Sequence, residues 1–598
     1  MRNALYAAIV LVGIAHAQDN RYCSPANVWI GNTSDGPAAL PQRCLNTALA
    51  NTPSPGAVVP LAAGQNLQTA YNTISCGTTL LLAHGASWDA PFNFSAKGCD
   101  DQHWITIKSD GNLPPEGTRV TAANQAELAV FSFAPGKPPA TLGDHLRFIG
   151  IAWTKKAGAQ LVAFATGNGA KYIIFDRNRM LGNPKEETRR GFTLNNGQYV
   201  AVIDSDFEEF HCIAVTGSCI DSQAISGGVG TGIPASGPFK IVNNFLEAAA
   251  ENILFGGGPA DGCGPNDVEI RRNYLYKPQA WNPNDPNFIG VKYIVKNLFE
   301  LKNGCRILLE GNVMENSWGG FTQVGFGILS GPKSQAGPNG TNLCSLCTIT
   351  DLVIRYSKIS NVAAWAAIDS GPNDDGGWSQ GQHRVSIHDL VADGIQYATC
   401  FACSTNLGQL ASAYITANPP PPQEIMSDVL INHITQVSRL SLATGAVPLA
   451  WLSVRGVPKS NSTNTPTLEN ISYLNSISLA GIFGMSASAG GADNCAVMPA
   501  GSGRSTPLRI VNACYFGSSK FSGNAFITAG SQRPLPADWP AGNLFVADWS
   551  TIQFVNYSGS IGGDYHLMLT SPVHAKALDG RDPGADIDMV NLFTNGVQ

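Results

Sequence analysis

Charge is scarce in this chain: Asp, Glu, Lys and Arg together make up 13% of its 598 residues. The formal net charge is −6 and the pI is near 5.9, so the basic excess on which nucleic-acid binding rests is missing. Long apolar runs are missing as well, and past the N-terminus none approaches the ~20 residues of a membrane-spanning helix. Helical periodicity is nowhere sustained beyond a few turns, which counts against a helix bundle or a doubly wound sheet. There is no P-loop, dinucleotide fingerprint, HExxH helix or Ser-His-Asp order. Glycine, by contrast, is plentiful at 64 residues, and 44% of the chain is apolar. That mixture suits many short strands joined by tight turns and does not suit disorder.

Residues 1–17, within MRNALYAAIVLVGIAHAQ, read as a secretory signal. Arg2 supplies the positive end, Leu5 to Ile14 the apolar core, and Ala15-His16-Ala17 a small-x-small cleavage site before Gln18. A membrane anchor is the alternative, but the run is short for a span. The mature protein is expected to be secreted, periplasmic or on the cell surface, with no membrane association. In such a compartment the 14 cysteines favour disulfides. Cys76 with Cys99, Cys212 with Cys219, and Cys495 with Cys514 are close pairs. The motifs CSLC (Cys344, Cys347) and CFAC (Cys400, Cys403) leave zinc as the alternative use of four thiols.

One phrase recurs along the middle of the chain. FKIVNNFLEAAAENILFGG, VEIRRNYLYKP and NLFELKNGCRILLEGNVMENSW each hold an alternating strand, an Asn and a short second apolar run. The aligned residues are Asn244, Asn273 and Asn312. Upstream, IIFDRNRML repeats the phrase with Asn178 and VAVIDSDFE with Ser205; downstream, LVIRYSKIS has Ser357. VSIHDLVAD and VLINHITQV keep the apolar pattern without the polar residue. Spacings of roughly 27 to 45 residues are those of a structural rung carrying loops of variable length.

In chain order, residues 18–60 form a loop-like leader rich in Pro, Gly and Asn. NLQTAYNTI places Leu67, Tyr71 and Ile74 on one face of a short helix, the expected cover for an open solenoid end. Regular rungs begin at LRFIGIAW and continue to about residue 480. Long insertions at 221–238, 277–292, 331–348, 371–383 and 399–424 leave the sides, where they can wall a groove. DYHLMLTSPVHAKALDGRDPGADID reads as the last rung and its closing loop. Residues 61–598 are taken as a single domain, an all-β parallel β-helix solenoid.

The Asn-bearing rungs, the opening LQTAYNTISCGTTLLLAHGASW and the closing SPVHAKALDGRDPGADI resemble right-handed parallel β-helix proteins of the pectin-lyase-like superfamily. The resemblance implies a solenoid whose stacked Asn residues bond along a corner, so Asn178, Asn244, Asn273 and Asn312 are expected to be structural. It also implies a choice among calcium-dependent lyases, hydrolases, epimerases, tailspikes and adhesins, because fold does not settle function.

A lyase of this kind takes the proton beside a uronate carboxyl group and expels the glycosidic oxygen. It needs a hard cation, a base and neighbouring cationic groups. Relatives place acids two apart on one rung and four apart on the next, followed by Arg and Lys. Here Asp204 and Asp206, then Glu247 and Glu251, form a loose match for calcium, with Arg271, Arg272 and Lys277 as the basic rung. Neither a WIDH-like segment nor an Arg-x-Pro-Arg-x-Arg stretch is present. The alternative is solvated turn acids and ordinary ion pairs.

A second face lies on NLFELKN: with Phe299 and Leu301 inward, Glu300 and Lys302 point outward together. Asp369 is expected two rungs on, with Trp281, Trp318, Trp365 or Trp378 as sugar-stacking platforms; the alternative is an exposed Glu/Lys pair. Of the hydrolase segments only Asp374-Asp375 has an echo. The expectation is an exported carbohydrate-active protein, a calcium-dependent lyase on a uronate polysaccharide. A non-catalytic glycan-binding scaffold is the alternative and a glycoside hydrolase the third reading. No organic cofactor and no nucleic-acid partner are expected, and the oligomeric state is open.

Overall fold

The computed structural model describes residues 19–158, 163–230, 236–320, 324–333, 343–370, 379–396, 400–401, 406–412, 425–438, 448–455, 468–488, 506–531, 536–558 and 562–598. The signal expected over 1–17, Cys403, Cys495, Trp378 and Asp374-Asp375 lie outside the described residues. The segments IIF, VAVI and FKIV are nearly continuous apolar runs, the pattern of parallel strands covered on both faces. They pair accordingly: Phe175 with Val202, Val202 with Ile241, Ile241 with Ile270 and Ile270 with Leu309, all in parallel register. The same stacking holds in a second sheet (Met180, Phe207, Leu246, Leu275, Met314) and in a 12-stranded third. The coil is a right-handed parallel β-helix, the hand that parallel crossovers adopt. Its interior is one continuous apolar column in which Phe131, Phe148, Trp153, Phe175 and Phe192 pack ring against ring.

The corner between the first two sheets carries the expected ladder. Asn178 N donates to Ser205 Oγ, Ser205 N to Asn244 Oδ1, Asn244 N to Asn273 Oδ1, Asn273 N to Asn312 Oδ1 and Asn312 N to Ser357 Oγ, at 2.9–3.1 Å. Immediately before each of these residues the backbone is left-handed, at Arg177, Asp204, Asn243, Arg272, Gly311 and Tyr356 (φ 50–64°). Non-glycine residues enter that region at a cost of about 1–2 kcal/mol each. The ladder bonds, which satisfy backbone groups that the turn takes out of the sheets, offset it. VSIHDLVAD and VLINHITQV carry Leu390 and Ile434 in place of the polar residue, and the left-handed residue persists before them at Asp389 and His433 (φ 49° and 53°), inside the strands Gln382–Ile395 and Met426–Ser438. The ladder resumes at Ser476, Asn524 and Asn543.

The Leu67–Thr73 helix covers the N-terminal end, with Leu67 and Tyr71 buried. The leader is a strap laid over the outer face of the first sheet. That face is partly apolar, and Leu45 covers Ile174, Ala201, Ile203 and Val242 while Ala38 and Leu40 cover Leu308 and Val353. Ion pairs pin the strap: Asp19 to Arg271, Arg43 to Asp267, and Asp35 to Arg355 and His388.

The C-terminal stretch differs from its expected place. Asp564–Leu567 pairs antiparallel with Phe554–Asn556, and the last parallel strand is Leu544–Val546. The hairpin protects the open end of the helix, where another parallel strand would only expose a new edge. The chain then returns along the corner as an Asp586-capped helix, Ile587–Thr594. The disulfides Cys23–Cys44, Cys76–Cys99, Cys212–Cys219, Cys263–Cys305 and Cys344–Cys347 are closed. Cys400 and Cys514 are disulfide-bonded as well. The zinc alternative for the CxxC motifs fails here, because a disulfide has no thiolate to give a metal.

Candidate active site

Asp204 and Asp206 do not share a strand. The strand Gln198–Ile203 ends before them, Asp204 takes the left-handed corner position (φ 53°), and Asp206 opens the next strand. Asp204 accepts hydrogen bonds from Gly117 N at 2.9 Å and Asn243 Nδ2 at 2.8 Å, and burial pushes its pKa up to about 6. Asp206 meets Arg179 at 2.8 Å, and burial raises it to about 7. Glu247 stays on the second sheet, under the charges of Glu209, Glu208 and Asp206. Glu251 lies past the next corner on the third sheet, under those of Asp221, Glu300, Lys296 and Lys302. The two neighbourhoods share no member. The donor set expected for calcium is not assembled, and no step is routed through that ion.

The basic rung is likewise dispersed. Arg271 is fully buried and clamped between Glu269, at 2.9 Å, and Asp19 of the strap. Arg272 turns the other way and donates to the carbonyls of Phe593 and Asn595, both at 2.8 Å. Lys277 points inward. Its Nζ donates to Ala248 O, Ala250 O, Asn252 Oδ1 and Asn297 O at 2.9–3.1 Å, and burial lowers its pKa to about 7. It plugs the inner side of a corner. All three residues donate to backbone carbonyls, a feature that residue spacing does not reveal.

The second face does form. Phe299 and Leu301 enter the core, and Glu300 Oε1 meets Lys302 Nζ at 3.2 Å on the outside. The third sheet stacks Leu301, Ser330 and Ile368 in register, so Lys302 and Asp369 follow on the same outward row. Between them Gly331 brings no side chain, and a Cβ there would stand 3.0 Å from that of Asp369.

Around Glu300 the corner brings in residues for which the sequence offered no direct sign. Lys296 Nζ is 2.7 Å from Asp221 Oδ1 and 3.6 Å from Glu251 Oε1. Glu251 Oε2 accepts from Gln223 Nε2 at 2.8 Å, and Gln223 Oε1 accepts from Arg190 at 2.7 Å. Asn297 Nδ2 donates to Glu300 Oε2 at 2.8 Å. Three carboxyl groups thus share two ammonium groups. The alternative of an exposed Glu/Lys pair is corrected: Glu251 and Glu300 side chains are 0% and 1% exposed, and Asp221, Lys296 and Lys302 form the mouth at 18%, 14% and 11%.

The electrostatics shift these carboxyl groups in opposite directions. Burial, reinforced by Asp221 and Glu300, pushes Glu251 well above the ordinary carboxylate value, against the pull of Lys296 and Lys302. Burial also works against Asp221 and Glu300 as anions, but Lys296 and Lys302 outweigh it and hold both low. The two lysines are held above their ordinary value by the same acids, against burial. One buried carboxyl of raised pKa therefore sits among fixed charges, an arrangement seen in acid–base sites. Asp221 and Lys296 each stand just ahead of a third-sheet strand, and the insertions before them hide that alignment in the sequence. The expected stacking platforms Trp281, Trp318 and Trp365 are buried and cannot reach a sugar.

No family model matches the chain, and no curated protein does. Among solved structures, the pectate lyase Pel9A shares 16% identity over 60% of this chain and 83% of its own, at a TM-score of 0.31. An alginate lyase from Paenibacillus sp. str. FPU-7 shares 14% over 60% of this chain and 94% of its own, at 0.30. PfbA, a surface adhesin of Streptococcus pneumoniae, shares 11% over 67% and 79%, at 0.31. These likenesses concern the coil alone.

Proposed function

We propose that the chain is an exported carbohydrate-active β-helix protein that cleaves a uronate-containing polysaccharide by β-elimination at the Asp221–Lys296–Glu251–Glu300–Lys302 cluster. The observation that carries this reading is the pair of ammonium groups at the mouth, backed by the buried carboxyl groups of Glu251 and Glu300. Elimination builds negative charge on the uronate carboxyl group as the neighbouring C–H proton leaves, and fixed cations lower the cost of that charge. Lys296 and Lys302 bracket the uronate carboxylate. Asp221, the ionised carboxylate at the mouth, accepts the proton; the electron pair forms the double bond and the glycosidic bond breaks, with solvent protonating the leaving oxygen. Glu251 and Glu300 are positioning residues that set the charge on the lysines. In this reading the lysines take the neutralising role, in place of the expected calcium.

A scaffold that binds glycans without turnover is favoured by one observation: only three members of the cluster reach the surface. The test is incubation of the purified protein with pectate, alginate and other uronate polymers, with calcium and with chelator. Ultraviolet absorbance from unsaturated ends, retained in chelator and abolished in Lys296→Ala, is the expected result. New reducing ends without absorbance would indicate a hydrolase. Binding without either product would leave the scaffold.

A further inference from the structure

The outward face of the second sheet carries an arrangement that neither the ladder nor the lysine cluster uses. In register, Arg179 stands beside Asp206, Asp206 beside Phe245 and Phe245 beside Tyr274. The next outward row places Glu247 beside Tyr276 and Tyr276 beside Glu315. Three half-buried rings thus form one aromatic patch, with centroids 5.5 Å apart for Phe245–Tyr274, 5.2 Å for Tyr274–Tyr276 and 5.9 Å for Phe245–Tyr276, and with planes tilted by 64°, 46° and 38°. Aromatic residues on a solvent-facing sheet surface leave apolar area in water that burial elsewhere would have removed.

Hydrogen-bonding groups rim the patch. Tyr274 Oη donates to Glu315 Oε2 at 2.8 Å, and Arg179 bridges Asp206 and Glu208 at 2.8 and 3.0 Å. Asp206 is 3% exposed, and its carboxyl group meets Glu208 as well as Arg179. Burial raises the pKa of Glu247 and Glu315 as well as that of Asp206, and the carboxyl oxygens of this rim are acceptors for sugar hydroxyls. Glu208 and Glu209, half-buried at its edge, add negative charge.

We infer that this aromatic patch is a binding subsite for a neutral glycan chain, distinct from the lysine cluster. Pyranose rings present a C–H face that stacks on aromatic rings and a girdle of hydroxyls that pairs with carboxyl groups. A uronate would bring its carboxylate against Glu208 and Glu209 and is disfavoured by like charge. The subsite would hold an uncharged stretch or branch of a polysaccharide while an acidic residue of the same or another chain lies at the lysines.

The test is titration of the full-length mature protein with cello-, manno-, xylo- and malto-hexaose and with hexagalacturonate, followed by tyrosine fluorescence and calorimetry. At least one neutral hexasaccharide is expected to bind, and Tyr276→Ala to weaken it at least tenfold. Phe245→Leu keeps the apolar burial but removes one ring, and it guards against a folding defect in the first variant; it is expected to weaken binding several-fold with an unchanged melting temperature. Lys296→Ala is expected to leave the neutral affinity untouched, which separates failure of this inference from failure of the lyase reading. Absence of binding by every neutral hexasaccharide overturns the inference. So does binding indifferent to both ring substitutions, or competition by hexagalacturonate at equal concentration.

Discussion

Replacing Asn273 with Ala removes one step of the corner ladder, and the structure sets the size of the loss. Asn273 Oδ1 accepts from Asn244 N at 3.0 Å and from Asn244 Nδ2 at 2.9 Å. Its Nδ2 donates to Ile241 O at 2.9 Å and to Asn312 Oδ1 at 3.1 Å. The site is fully buried, so truncation strips side-chain partners from the Asn244 N–H and the Ile241 carbonyl where bulk water does not reach. Each such group costs about 1–3 kcal/mol, which gives a loss of about 2–6 kcal/mol. That is a large share of the ~5–15 kcal/mol that keeps a typical protein folded. Serine supplies an internal control. At position 205 its hydroxyl accepts from Asn178 N at 3.0 Å and donates to Ile203 O at 2.7 Å. Asn273→Ser is therefore expected to recover about half of the loss, whereas Asn273→Asp places an acceptor against Ile241 O and does worse than Ala. Urea unfolding followed by circular dichroism gives the stability, and hydrogen exchange over residues 239–276 locates the loss. An Ala variant within 1 kcal/mol of wild type, or a Ser variant no better than Ala, would refute the reasoning.

The strap is held partly by a histidine. Asp35 at 3.0 Å and Asp389 at 2.7 Å raise His388 from 6.5 to about 9, against the burial that lowers it. Its folded pKa exceeds its unfolded one, so its contribution, on the order of 3 kcal/mol, is complete below pH 6.5 and lost as pH rises through 9. Exchange of amides 30–45 is expected to accelerate over that window, and His388→Gln to flatten the dependence. Lys277 has the opposite sign. With a folded pKa near 7 against 10.5 unfolded, the unfolded chain binds more protons between those values, so this group makes stability rise with pH across that window. Denaturation midpoints of Lys277→Met should lack that rise. Lys302→Gln leaves Glu300 buried without its cation, and we expect lost stability together with lost turnover; a fully active, fully stable variant would contradict the cluster. Thiol titration of the unreduced protein should find none of the cysteines of the five closed disulfides reactive, and added zinc should leave the melting temperature unchanged.

Repetition made the architecture legible. The apolar alternation around Asn178, Ser205, Asn244, Asn273, Asn312 and Ser357 carries its own explanation, because one coil must satisfy the same turn at every level. The helix over Leu67–Thr73 and the outward Glu300/Lys302 pair were readable for the same reason: a periodicity of 3.6 or 2 residues determines which side chains share a face. The Ile587–Thr594 helix escaped notice because it follows a Gly/Asp-rich turn and shows only a short run of buried positions, Ile587, Val590 and Thr594.

What the chain specified by itself is therefore local and repetitive: strand, corner, ladder, end cap, and the inward or outward direction of each side chain on a continuous strand. What only the tertiary structure decided is which outward side chains become neighbours. Asp204 and Asp206 are two residues apart yet face different ways, because a left-handed residue breaks the strand between the first and second sheets. Asp221, Glu251 and Lys296 meet although insertions separate them, because stacking in a β-helix depends on equal depth in the coil and ignores the length of the loops between. Charge at a distance in sequence, and the burial that sets its proton, exist only once the coils are piled.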